Sequence, residues 1–176
     1  DIAIYGDDIT LRDSNLEAGY RDNRGRVDRP VGDIVVDATG NIALTDSGIR
    51  SNLARGTDGA RGNVTLQADG NIWLTQSSIV SEVKGVEIEI PGVSDSGSIN
   101  LLADGNLIID TSRINSIIDS RGRSERLGEA GAGSVTIRAA ALVMRTEDGT
   151  PENRQARIST SNNGIGNGGT VRITVD

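Results

Sequence analysis

The chain has no cysteine, no histidine and no phenylalanine, and aromatic residues make up only 2% of it. Without thiols there is no disulfide and no thiol switch. Without imidazole or thiol there is also no Cys–His or Ser–His nucleophile pair, and no zinc site built from those ligands. Lys84 is the only lysine, so the 18 basic residues are nearly all arginine, and 25 acidic residues leave a net charge of −7. That balance argues against a nucleic-acid partner, which needs a basic footprint. No run of about 18 apolar residues occurs, so no membrane-inserted helix is expected. Proline is scarce, at 3 residues, and glycine is plentiful, at 23 of 176. The length suffices for one domain with one core.

The glycines punctuate a repeat. Each copy reads as a Gly, an alternating apolar run, a Gly-Asn turn, a second alternating run, and then Ser-x-Ile-x-Ser. The clearest copies are Gly32–Ser51, Gly62–Ser81 and Gly97–Ser116, with a degenerate copy at Gly133–Thr160 and a half-copy from Gly169. Anchored on Ile34, Val64, Ile99, Val135 and Val171, the copies are spaced 30, 35, 36 and 36 residues apart. The surplus residues collect after Ser-x-Ile-x-Ser, in Gly19–Val31, Asn52–Arg61, Glu82–Ser96 and Ile117–Ala132, with one more insertion in the fourth copy. Pro30, Pro91 and Pro151 all fall in insertions, so none removes an N–H from a proposed strand.

Inside a copy the apolar period is two, which marks strands. The first run keeps Ile34/Val36, Val64/Leu66, Ile99/Leu101, Val135/Ile137 and Val171/Ile173 on one face. The second keeps Ile9/Leu11, Ile42/Leu44, Ile72/Leu74, Leu107/Ile109 and Leu142/Met144. The third is short and holds one large apolar residue, successively Leu16, Ile49, Ile79, Ile114 and Ile158. Three half-buried strands cannot make a core alone, but stacking copy on copy can. The expected fold is therefore all-β: a right-handed parallel β-helix solenoid of about five coils, each of three short strands, with loop insertions on one edge. Residues 1–176 are expected to form a single such segment, cut from a longer repeat array. At the first corner, Gly40, Gly70 and Gly105 are expected to supply a positive φ, and Asn41, Asn71 and Asn106, with Asp8 beneath them, to form an amide ladder. Ser47, Ser77, Ser112, Ser51, Ser81 and Ser116 share the parity of the buried isoleucines and suit tight corners that bond to backbone.

The stretches GNVTLQADGNIWLTQSSIVS (Gly62–Ser81), GSINLLADGNLIIDTSRINS (Gly97–Ser116) and ARISTSNNGIGNGGTVRITV (Ala156–Val175) resemble the passenger repeats of filamentous-haemagglutinin-like exoproteins of the two-partner-secretion type, in particular the cyanobacterial surface form. The resemblance covers most of the chain outside the insertions. It implies an extracellular or outer-surface protein with a structural or adhesive role, exported through an outer-membrane pore. The N-terminal secretion domain of that family has no counterpart here.

Three places stand out as candidate sites. The outward positions of the second strand read Thr10, Ala43, Trp73, Ile108 and Val143, an apolar column with the only Trp in it. That column is a candidate docking strip for a cell-surface or matrix component, a glycan or a lateral neighbour, unless an insertion such as Gly85–Pro91 covers it. Arg21, Arg24, Arg26 and Arg29 cluster in the first insertion and form a candidate anionic-glycan loop. Asp69 and Asp104 stack at neighbouring corners, where calcium would relieve their repulsion, although Asp-Gly is also ordinary turn chemistry. No cofactor is otherwise implied. Polysaccharide cleavage is the alternative function, but hydrolysis needs two placed carboxylates, and the outward column Asp37, Gln67, Leu102, Arg138, Thr174 holds one. The reading from sequence is thus a non-enzymatic stalk or filament segment, able to self-associate end to end or laterally through open strand edges.

Overall fold

A computed structural model describes residues 1–20, 31–53, 62–84, 96–119, 132–163 and 168–176. The chain winds through β1 (Ile2–Gly6), β2 (Ile9–Arg12) and β3 (Asn15–Tyr20), then β4 (Ile34–Ala38), β5 (Ile42–Thr45) and β6 (Gly48–Leu53). The third and fourth coils are β7 (Val64–Ala68), β8 (Ile72–Thr75) and β9 (Ser78–Lys84), followed by β10 (Ile99–Ala103), β11 (Asn106–Asp110) and β12 (Arg113–Asp119). The fifth is β13 (Val135–Ala139), β14 (Ala141–Arg145) and β15 (Arg157–Asn162), with a short 3-10 helix at Glu152–Arg154 between the last two, and β16 (Val171–Val175) lies on top.

Each strand pairs with its equivalent one coil away, always in parallel. The first sheet runs β1-β4-β7-β10-β13-β16, the second β2-β5-β8-β11-β14 and the third β3-β6-β9-β12-β15. The columns inferred from the repeat are the observed ladder partners: Ile34 faces Val64, Val64 faces Ile99, Ile99 faces Val135 and Val135 faces Val171. This is a parallel β-helix. Coils one strand spacing apart, about 4.8 Å, give six stacked strands a length of about 25 Å.

Period-two alternation turns Ile34, Leu66, Ile72, Leu74, Ile99, Leu101 and Leu107 inward, where they are fully buried, while their equivalents at the two ends, such as Leu11 and Ile173, are less covered. Each such burial contributes about 1.5–3 kcal/mol. Like side chains stack on like at the strand spacing, so aliphatic residues fill the interior without voids, and the described core cluster holds no aromatic residue.

The corners differ in chemistry. At the first, between the first and second sheets, Asp8 Oδ1 accepts from the Asn41 backbone N–H at 2.7 Å and from Asn41 Nδ2 at 3.0 Å. Asn41 Oδ1 accepts in the same way from Asn71, at 2.9 and 3.1 Å, and Asn71 Oδ1 accepts from the Asn106 N–H at 2.8 Å. The ladder is as expected, but the role of its glycines is not. Among the described glycines only Gly149 has a positive φ. A Cβ on Gly40, Gly70 or Gly105 would instead run into the ladder oxygens and carbonyls of the coil below. Close approach of stacked backbones, not left-handed geometry, requires glycine there. The same holds where each coil closes: a Cβ on Gly62 would land on the Gly32 carbonyl oxygen, and one on Gly97 on that of Gly62.

The left-handed residues other than Gly149 all sit at the second corner among the described residues. Asp13, Asp46, Gln76 and Thr111 have φ of 45°, 49°, 48° and 48°. That conformation costs an L-residue about 1–2 kcal/mol. The serine that follows each offsets the cost. Ser47, Ser77 and Ser112 each donate the hydroxyl back across the turn, at 2.7 Å, to the carbonyls of Thr45, Thr75 and Asp110. The Ser77 hydroxyl also accepts the Ser47 N–H at 3.2 Å, and that of Ser112 accepts the Ser77 N–H at 2.9 Å. Every turn thereby ties into the next coil.

The third strands are longer than expected. β9 and β12 span seven residues each and run into segments read from sequence as insertions. Val83 and Ile118 are buried beyond Ser81 and Ser116, which are buried as well. A buried serine in an inward position interrupts the apolar alternation, so the pattern stops short of the strand.

Candidate functional site

Two surfaces carry features beyond the stacking grammar. The first is the outward column of the second sheet. Thr10 pairs with Ala43, Ala43 with Trp73, Trp73 with Ile108 and Ile108 with Val143, one continuous line across five strands. Trp73 is 37% exposed and Val143 45%, while Ala43 and Ile108 are half-buried between them. The strands present this line because the opposite parity, Ile72/Leu74 and Leu107/Ile109, is locked in the core. The line is flanked by polar side chains at the ends of the same strands, including Thr75 and the ion pair between Arg145 Nε and Asp110 Oδ2 at 2.8 Å. Segment 85–91, the candidate cover, lies outside the described residues.

The second surface is a groove at the second corner. In the fifth coil the chain leaves β14, passes through the 3-10 helix and returns to β15, so that this inserted segment stands over the turns of the coils below. The Thr111 hydroxyl accepts the Glu147 N–H at 3.1 Å and the Thr146 hydroxyl accepts the Ala156 N–H at 2.9 Å, which fixes both ends of the insertion. Beneath it opens a groove of about 420 Å³, with the left-handed residues Asp46, Gln76 and Thr111 on one side and Arg113, Glu147 and Arg154 among its other lining groups. A second groove of about 350 Å³ adjoins it through Gln76 and Glu147.

Charge is arranged unusually in the larger groove. Asp110 and Arg145 are in contact nearby, as are Arg138 and Asp176 at 3.4 Å on the first sheet. Arg113, Arg154, Asp46 and Glu147 line one space, yet among the described residues no ion pair joins any of them. The Asn41 backbone N–H, and then its side-chain amide, hold the Asp8 carboxyl below the usual aspartate range.

Arg21, Arg24, Arg26 and Arg29 lie outside the described residues. Asp69 and Asp104 are both exposed at their corners, and no cluster of three acidic side chains placed to hold a metal occurs among the described residues. The column Asp37, Gln67, Leu102, Arg138, Thr174 is continuous in register, with Tyr5 extending it below Asp37. Sequence reasoning missed the groove. Its signal was the lengthening of the fourth copy between Met144 and Ile158, against five residues from Ile109 to Ile114. Comparison with protein-family models, curated proteins and solved structures found no match.

Proposed function

We propose that this chain is a non-enzymatic, extracellular structural and adhesive segment of a large secreted or surface protein. It is a rigid solenoid that holds contact residues at fixed spacing. The observation that carries the reading is the outward Ala43–Trp73–Ile108–Val143 line, four apolar side chains in register, the first three on strands whose other face is immobilised in the core. An exposed Trp in such a line offers a flat face for a sugar ring or an apolar partner side chain. Stacking also makes length from a repeated unit, so contacts can vary on the surface while the interior stays constant.

Binding to arrays of glycans and immobilised matrix components tests the reading. The wild-type chain is expected to retain a subset of them, and Trp73→Ala to weaken that binding at least about tenfold, the size expected for losing a central aromatic contact. The competing reading, a carbohydrate-active β-helix enzyme, draws on the two carboxylates Asp46 and Glu147 that line the corner groove. Release of reducing ends or unsaturated products from soluble polysaccharides would overturn the adhesive assignment in its favour.

A further inference from the structure

The register of the third sheet places Arg113 of β12 directly opposite Arg157 of β15. Like charges facing each other across adjacent strands, about 4.8 Å apart, are destabilising. No carboxylate among the described residues reaches either of them, nor Arg154 of the inserted segment. Below Arg113 the same column continues as Ser78 and Gly48, small residues that leave space under the guanidinium. Arg113 and Arg154 thus converge on the corner groove from the sheet and from the insertion, in a space that also holds Asp46 and Glu147 without touching them.

We propose that this groove is a binding site for an acidic polysaccharide, one whose sugar units carry carboxylate or sulfate groups. The guanidinium groups of Arg113 and Arg154 take the anionic group by charge-assisted hydrogen bonds. Asp46 and Glu147 accept from the sugar hydroxyls, and the Thr111 turn supplies further polar contacts. A free inorganic anion would satisfy the arginines and leave the carboxylates facing like charge. A basic peptide would do the reverse. An acidic sugar carries both the anion and the hydroxyl donors, and a volume of about 420 Å³ falls in the small-ligand range, room for one or two rings. The inference goes beyond the adhesive reading, because it concerns a different face from the Trp73 line, and each has its own variant.

Titration calorimetry with a galacturonate oligosaccharide, a sulfated dextran oligosaccharide, neutral dextran and inorganic sulfate tests it and tells the two sources of negative charge apart. At least one of the two acidic oligosaccharides is expected to bind. Arg113→Gln and Arg154→Gln should each weaken that binding about tenfold or more, the loss typical of a charge-assisted bond. Arg172→Gln, on the exposed face of β16, should leave it unchanged. All three arginines are exposed, so circular dichroism should show the same fold in each variant. Failure of both acidic oligosaccharides to bind overturns the proposal. So does equal affinity of the Arg113→Gln and wild-type chains, or binding of inorganic sulfate as tight as that of the oligosaccharide. None of those results touches the Trp73 reading.

Discussion

The middle coils, β4 to β12, and the last coil, β13 to β15, stack by one rule and end their corners by two. In the middle coils each turn is closed against its neighbouring coils: by the asparagine ladder at the first corner, by serines at the second, and at the third by glycines packed backbone to backbone beside a ladder through Asp33, Asn63 and Ser98. In the last coil Ala141 stands opposite Asn106, so the ladder ends, and the second corner opens into the inserted segment. On its β14 the inward residues are also less covered: Met144 is 42% exposed, where its ladder partner Ile109 is fully buried. The lesson is a division of labour. Uniform corners make a stiff support, and the coil that breaks the uniformity is the one that gains a groove.

That contrast can be broken most severely at a closing glycine. Gly97→Ala should destabilise the chain by about 3 kcal/mol or more, because the new methyl meets backbone on the coil below and neither side can yield cheaply. Gly168→Ala, beside the last coil with nothing within 4 Å of a Cβ, should be nearly neutral. Chemical denaturation of the two variants checks the pair, and equal losses would mean that stacking closeness is not what selects glycine. Next in size is the ladder. Asn71→Ala removes the acceptor of the Asn106 N–H and the donor to Asn41, at a cost of about 1 kcal/mol. Ala141→Asn should carry the ladder one coil further and return up to about 1 kcal/mol, read as a rise in the denaturation midpoint.

The smallest effect is in acid. Asp8 is held below its ordinary acidity range in the folded chain by Asn41, so the unfolded chain binds its proton first as pH falls. Its stabilising contribution is complete above the ordinary aspartate value, near 3.9. It declines as pH drops below that value and is gone once pH has passed through the depressed folded one. The backbone amide resonance of Asn41, followed by NMR through this range, should shift with a midpoint below that of an unstructured aspartate. A midpoint at or above it would remove the first rung of the ladder from the account.

Most of the architecture was legible because the repeat reports vertical neighbours directly. Ile34, Val64, Ile99 and Val135 share a phase in the sequence and a column in the fold. The outward line through Trp73 followed from the same phase. What escaped the reading depends on contacts that phase does not encode. Ser81 and Ser116 lie inward like the isoleucines, so apolar alternation underestimates β9 and β12. The left-handed corner is written in Asp13, Asp46, Gln76 and Thr111, residues that no turn signature singles out as a set, because the stabilising serine is the next residue along. The groove needs Arg113, Arg154 and Glu147 to meet, and their juxtaposition arises only once the insertion has folded back over the turns.

The first and second corners point opposite ways. Asparagine amides donate toward the first coil, from Asn106 to Asn71 to Asn41 to Asp8, whereas serine amides donate toward the last, from Ser47 to Ser77 to Ser112. An α-helix sums its peptide dipoles into opposite partial charges at its two termini. Here a third line, from Ser98 to Asn63 to Asp33 to Asp1 at the closing corner, also donates toward the first coil, so two lines of amide dipoles run against one and the rod has a direction along its axis.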